Sequence, residues 1–154
     1  MNNRKCCFIG HRDIIEEGIE EKVYAAIIKE VECGCNQFVI GTHGDFDNIA
    51  LMACRRVRDS FVELGIEVVL TSLTILQKNK HGLSKYSKYD DVDTVIYDIE
   101  DVHFKRQIIV SNHKMIDQCD TAICYVDEHR CLSGAVSSLR YAKRKGLKVI
   151  NLFE

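Results

Sequence analysis

Short apolar runs rich in branched side chains alternate along the chain with longer stretches whose apolar residues recur at helical spacing. That alternation predicts β-α-β units and a parallel sheet. The first strand reads from Lys5 to Ile9. Asp13, with Glu16 three residues later, offers an N-cap for a long helix marked by Ile15, Ile19, Val23, Ile27 and Val31, and Gly34 supplies its stop. Gln37 to Ile40 is the second strand. The next helix carries Ile49, Ala53, Val57, Phe61 and Leu64, is closed by Gly65, and leads into a third strand from Ile66 to Leu70.

The stretch from Thr71 to Asp93 is polar, lysine-rich and poorly periodic, and reads as an excursion between elements. Thr94 to Tyr97 is the fourth strand, followed by a helix with Phe104, Ile108, Asn112, Met115 and Cys119. Thr121 to Val126 is the fifth strand, Gly134 to Lys145 the last helix and Lys148 to Leu152 the last strand. Right-handed crossovers then give one Rossmann-like α/β domain over residues 1–154: a doubly wound, mainly parallel sheet of about six strands with helices on both faces.

Composition narrows the partners. With 21 basic and 23 acidic side chains there is no overall positive charge to hold a polyanion, so extended nucleic acid is not the default partner. No apolar run approaches the roughly 20 residues that span a bilayer, and the polar start from Met1 to Lys5 leads straight into a strand, so no membrane partner and a cytoplasmic location are expected. Of the eight cysteines, Cys6, Cys7, Cys54, Cys119 and Cys124 sit in apolar patterns and read as buried thiols. Cys33-Gly34-Cys35 has no second pair at zinc-site distance, so no metal site is assigned.

Candidate chemistry gathers at three strand-to-helix turns, because helix N-termini beyond the carboxyl ends of parallel strands present unpaired N–H groups to anions. They are Gly10-His11-Arg12, Gly41-Thr42-His43-Gly44-Asp45, and the segment Ser133-Gly134-Ala135-Val136-Ser137-Ser138. Glycines permit close backbone approach, the hydroxyls of Thr42, Ser133, Ser137 and Ser138 add donors, and Arg12 adds a bidentate charge. Asp45 and Asp47 read either as helix caps or as acceptors for ribose hydroxyls. Asn112 interrupts an apolar helical face, and Cys131 lies in a loop beside His129 and Arg130. Arg140, Lys143, Arg144, Lys145 and Lys148 form a basic run that reads first as a solvated helix end and second as an anionic docking patch; single-stranded DNA is the most extended partner considered for it. Neither G-x-G-x-x-G nor G-x-x-x-x-G-K-[ST] is present, so no cofactor is assigned and a P-loop is absent.

Phe8-Ile9-Gly10-His11-Arg12, the run from Gly41 to Ala50, Asn112 with Met115, Asp117 and Asp120, and Ser133-Gly134-Ala135 before Tyr141-Ala142 together resemble the small standalone SLOG-family proteins. That superfamily also takes in the LOG-type phosphoribohydrolases and the Rossmann-like domain of the DNA-processing protein DprA. The resemblance implies binding of a nucleotide or nucleotide-derived ligand at these turns, with a sensor, a phosphoribohydrolase or a DNA-processing accessory as the roles it opens, and a homodimer as the assembly. LOG-type enzymes carry P-G-G-x-G-T-x-x-E at the last turn. Here Leu132 replaces the proline, Ser133 and Val136 two of the glycines, Ser137 the threonine and Arg140 the catalytic glutamate. Asp45, Asp47 and Asp117 are the carboxylates left to substitute.

Overall fold

The innermost strands fix the layering. In β1 (Arg4–Gly10), Cys6 and Phe8 enter one apolar cluster while Cys7 and Ile9 enter the other, and all four are buried. A strand buried on both faces needs helices on both faces. The computed structural model describes residues 4–14, 16–70, 89–97, 103–131 and 133–154, with backbone alone at 104 and 105. In it α1 (Ile19–Glu32) and α2 (Asp45–Arg58) cover the Cys6 and Phe8 face. The other face is covered by α3 (Phe104–Asp117) and α4 (Gly134–Arg144), through Met115, Ile116, Val136, Leu139 and Ala142.

The sheet also contains β2 (Cys35–Ile40), β3 (Gly65–Leu70), β4 (Asp93–Ile96), β5 (Thr121–Tyr125) and β6 (Lys148–Asn151), in the order β4-β3-β2-β1-β5-β6 with every pairing parallel. From β1 the chain winds outward through β2 and β3 to β4, then returns to lay β5 against the free side of β1. Reversal of winding leaves a crevice between β1 and β5 at their carboxyl ends. The expected Rossmann-like, doubly wound α/β fold is the fold observed. Among the described residues no helix is long and apolar enough to cross a membrane.

Several element limits differ from the sequence reading for physical reasons. Asp13 does not cap the first helix, which begins only after Gly18, a residue in the left-handed region at φ 79°. The intervening loop is held elsewhere: Ile14 N–H donates to Asp45 Oδ2 at 3.0 Å, and Glu16 accepts from Lys22 Nζ at 3.2 Å. Ile15, part of the predicted stripe, lies outside the described residues. Gly65 does not close the second helix either. That helix stops at Arg58, Phe61 and Leu64 belong to successive turns, and Gly65 opens β3, where a Cβ would sit 2.5 Å from the Gln37 amide carbon. Of the predicted excursion, 71–88 and likewise Leu132 fall outside the described residues, while Asp93 is already in β4. Arg55 and Arg58 on α2 both bind Asp91, which anchors the entry to that edge strand.

The cysteines are free thiols, with Cys33 and Cys131 exposed and the other six buried. Gly34, at φ 102°, turns the chain between exposed Cys33 and buried Cys35, so the two thiols point into different environments.

Gly10 ends β1 where the Phe46 side chain crosses it, and a Cβ there would fall into the aromatic ring and 2.6 Å from Phe46 Cβ. Overpacking of this kind costs roughly 1–3 kcal/mol. Gly10→Ala is expected to lower the urea midpoint accordingly, and adding Phe46→Leu should make the combined loss smaller than the sum of the two single losses.

Candidate functional site

At the crevice between β1 and β5 lies a cavity of about 510 Å³, within the range of small-ligand sites. Its floor is Phe8 and Ile9 at the end of β1. Four separate stretches wall it: Gly10 to Asp13, then His43 with Asp47, then Ile108, Ile109 and Asn112 of α3, and finally Arg130, Cys131 and Ser133 to Ala135. Nine of the predicted ligand residues therefore share one cavity: Gly10, His11, Arg12, His43, Asp47, Asn112, Ser133, Gly134 and Ala135.

His11 is placed by the strand pairing itself. Its N–H donates to Tyr125 O at 3.3 Å, extending the β1–β5 ladder, and its Nε2 accepts from Asp127 N–H at 2.8 Å. An Nε2 that accepts a backbone proton carries none of its own, so the ring is neutral with its proton on Nδ1. Burial, helped by the Arg130 charge, lowers its pKa in the same sense.

Opposite stand His43 and Asp47. Asp47 Oδ2 accepts His43 N–H at 2.8 Å, and Gly41 makes room for the carboxylate, since a Cβ at Gly41 would lie 2.9 Å from Oδ2. Burial pushes the Asp47 carboxyl up to about 6 against that hydrogen bond, which opposes the shift. Burial and the Arg12 charge bring His43 down to about 4. At neutral pH both cavity histidines are uncharged. The fixed positive charges are Arg12 and Arg130, of which Arg130 approaches Asp13 at 3.5 Å, while Arg12 has no carboxylate at ion-pair distance among the described residues.

The last wall is the N-terminus of α4. Ser133 caps it in extended conformation, its Oγ accepting Val136 N–H at 3.4 Å, and the first turn carries no acidic residue. Gly134 faces open space, with nothing within 4 Å of where a Cβ would be. N–H groups at the first helical positions have no partner inside the helix, and here Gly134 and Ala135 present them at the cavity wall.

Six predicted residues do not line this cavity. Thr42 Oγ1 donates to Val69 O at 3.1 Å and so ties the loop to β3. Gly41 acts from behind Asp47 as described. Gly44, at φ 130°, is required because a Cβ there would lie 2.5 Å from Arg12 Cα. Asp117 is committed to Tyr141, whose hydroxyl donates to it at 2.6 Å, and to Lys145 at 3.6 Å. Ser137 lies on an adjoining cleft. Asp45, the remaining acid–base candidate, is exposed and joins the loops: its N–H donates to Arg12 O at 2.8 Å while its carboxylate receives Ile14 N–H.

Sequence reasoning missed Arg130, Asp13, Ile108 and Ile109 as cavity residues. Arg130 stood beside Cys131 in the loop that leads to the last candidate turn, which was the signal available. For Ile108 the helical stripe pointed to the core, and only its place one turn before Asn112 marked the cavity side. Asn112 Nδ2 approaches Ser138 Oγ at 3.5 Å, which fixes the amide at the cavity wall and accounts for a serine buried in α4. Comparison with known proteins adds nothing to this geometry: no family model matches the chain, and no curated protein matches it significantly.

Because the Asp47 carboxyl titrates higher folded than unfolded, the folded state binds the extra proton, and stability falls as pH rises from about 4 to about 6. Asp47→Asn removes the charge and retains an oxygen for His43 N–H. The variant is expected to melt above the parent protein at pH 7.5 and level with it near pH 4; equal melting temperatures at both pH values would show that the carboxylate is not under this strain.

Proposed function

We propose that the cavity between β1 and β5 binds a small phosphorylated ligand of nucleotide type, with a ligand-sensing role. The observation that carries this reading is the convergence of a guanidinium with no carboxylate partner among the described residues, Arg12, and a helix N-terminus, Ser133 to Ala135, on one cavity from distant parts of the chain. Both favour an anion, through charge-assisted hydrogen bonds and through the helix dipole. The apolar walls of Ile9, Ile108 and Ile109 suit the face of a base, and Asn112 and His11 supply the few polar groups that orient a ligand. The resemblance to SLOG-family proteins points the same way.

A second reading, hydrolysis of an N-glycosidic bond, is favoured by one feature: Asp47 holds its proton to about pH 6, as a general acid must. In that reaction Asp47 would protonate the departing base while water adds to the ribose carbon. Free base released from nucleoside monophosphates by the parent protein and not by Asp47→Asn establishes it, and no release removes it.

For binding itself, a ligand at 100 times its Kd stabilises the folded state by about 2.7 kcal/mol. Thermal shifts over a panel of mono-, di- and cyclic nucleotides are expected to pick out at least one ligand, and Arg12→Gln should weaken that ligand about tenfold or more while leaving the unliganded melting temperature in place. No shift from any nucleotide would refute the reading.

A further inference from the structure

The basic run at the end of α4 is not uniform. Three lysines are paired with acids: Lys143 with Glu128 at 2.8 Å, Lys145 with Asp117 at 3.6 Å and Lys148 with Glu30 at 2.8 Å. The two arginines are not. Among the described residues neither Arg140 nor Arg144 has a carboxylate at ion-pair distance, and both line a second cleft of about 560 Å³. That cleft adjoins the first cavity, since Arg130, Cys131 and Ser133 belong to the walls of both.

The spacing makes the cleft a track. Ser133, Ser137, Arg140 and Arg144 are separated by four, three and four residues, which places them in one stripe along α4. At 1.5 Å per residue the stripe runs about 16 Å from the helix N-terminus, and Arg140 lies about 10 Å along it. Among the described residues the only acid on this cleft, Glu128, is occupied by Lys143. Arg144 lies over the Tyr141 ring at 5.8 Å, a contact that leaves its charge uncompensated, so a cleft with two exposed guanidiniums that have no carboxylate partner among the described residues, leading away from an anion-binding helix terminus, is complementary to a second anion at a distance, not to a neutral tail.

We propose that the ligand carries two phosphate groups separated by a sugar or nucleoside: one at Arg12 and the start of α4, the other along the track at Arg140 and Arg144. Phosphorylated dinucleotides and nucleoside bisphosphates share that chemistry. The inference rests on the phosphate-binding reading of the first cavity and goes beyond it by defining the ligand class. Arg140, which stands where LOG-type enzymes have a glutamate, becomes a residue that selects for charge.

Calorimetry with adenosine 5′-monophosphate, adenosine 3′,5′-bisphosphate and 5′-phosphorylated adenine dinucleotide tests it. At low salt at least one of the doubly phosphorylated ligands is expected to bind about tenfold more tightly than the monophosphate, and the arm that does so identifies the spacer. Arg140→Gln with Arg144→Gln, both exposed positions, should abolish that advantage and leave monophosphate affinity within about twofold, since each lost contact acts on the distal charge alone. Rising salt should narrow the gap. Monophosphate binding with no gain from a second phosphate would overturn this inference and leave the first reading standing; absence of all three bindings would overturn both. A single-stranded oligonucleotide binding far more tightly than the dinucleotide would overturn the small-ligand class.

Discussion

The pairing of β1 with β5 is the interaction on which the rest of the carboxyl edge depends. These strands are far apart in sequence, yet Cys6 to Gly10 run in parallel register with Thr121 to Tyr125, and His11 continues the ladder by one more hydrogen bond to Tyr125 O. Winding proceeds in opposite directions from this pair, so no crossover helix covers the junction. The cavity is thus a consequence of topology, and its deepest polar residue is positioned by main chain. Because His11 Nε2 accepts Asp127 N–H, the ring also fixes where the β5–α4 loop leaves the sheet. One imidazole therefore couples the β1–α1 turn to the β5–α4 loop.

The second turn is locked to the first by a comparable economy of groups. Asp45 N–H meets Arg12 O, the Asp45 carboxylate meets Ile14 N–H, and Gly44 at φ 130° lets the two backbones pass in contact. Loop backbone groups outside the sheet ladder still need partners, and here each loop supplies some of those of the other. The consequence for the site is placement: Arg12 is held against Gly44 where it lines the cavity. Gly41 and His43 complete the arrangement by enclosing the Asp47 carboxyl, and the low-dielectric surroundings that raise its pKa are the same that keep His43 neutral.

How much of this was legible in the sequence follows from the range of the forces involved. Strand alternation and helical periodicity report burial on each element separately, so six strands, four helices and the doubly wound scheme could be read from Cys6, Phe8, Val23, Ile27, Met115 and their spacing. That three strand-to-helix turns gather at one edge was legible because topology alone puts strand ends there. What could not be read were choices made by tertiary partners. Asp13 has every local mark of a helix cap, but the Ile14 amide binds Asp45 from another loop and Gly18 adopts the left-handed conformation, so the helix waits until Ile19. Gly65 looks like a helix stop and instead makes room beside Gln37 on the neighbouring strand. Thr42 was as good a phosphate donor as Ser133 on composition; the β3 carbonyl at Val69 claims it.

Charge shows the same division with a functional edge. On paper the five basic residues from Arg140 to Lys148 are equivalent, and a helix C-terminus accommodates all of them. In the fold they separate by which acids lie within reach, because α3 contributes Asp117, α1 contributes Glu30 and the β5–α4 loop contributes Glu128, each to a lysine. The arginines are left on the stripe of α4 that continues from the cavity. With His11 and His43 neutral, the positive charge at the cavity and along the stripe comes from arginines, of which Arg12, Arg140 and Arg144 have no carboxylate at ion-pair distance among the described residues. The Asp47 carboxyl, pushed up to about 6 by burial, opposes that charge once it ionises, so the cavity becomes less favourable to an anion as pH rises through that value.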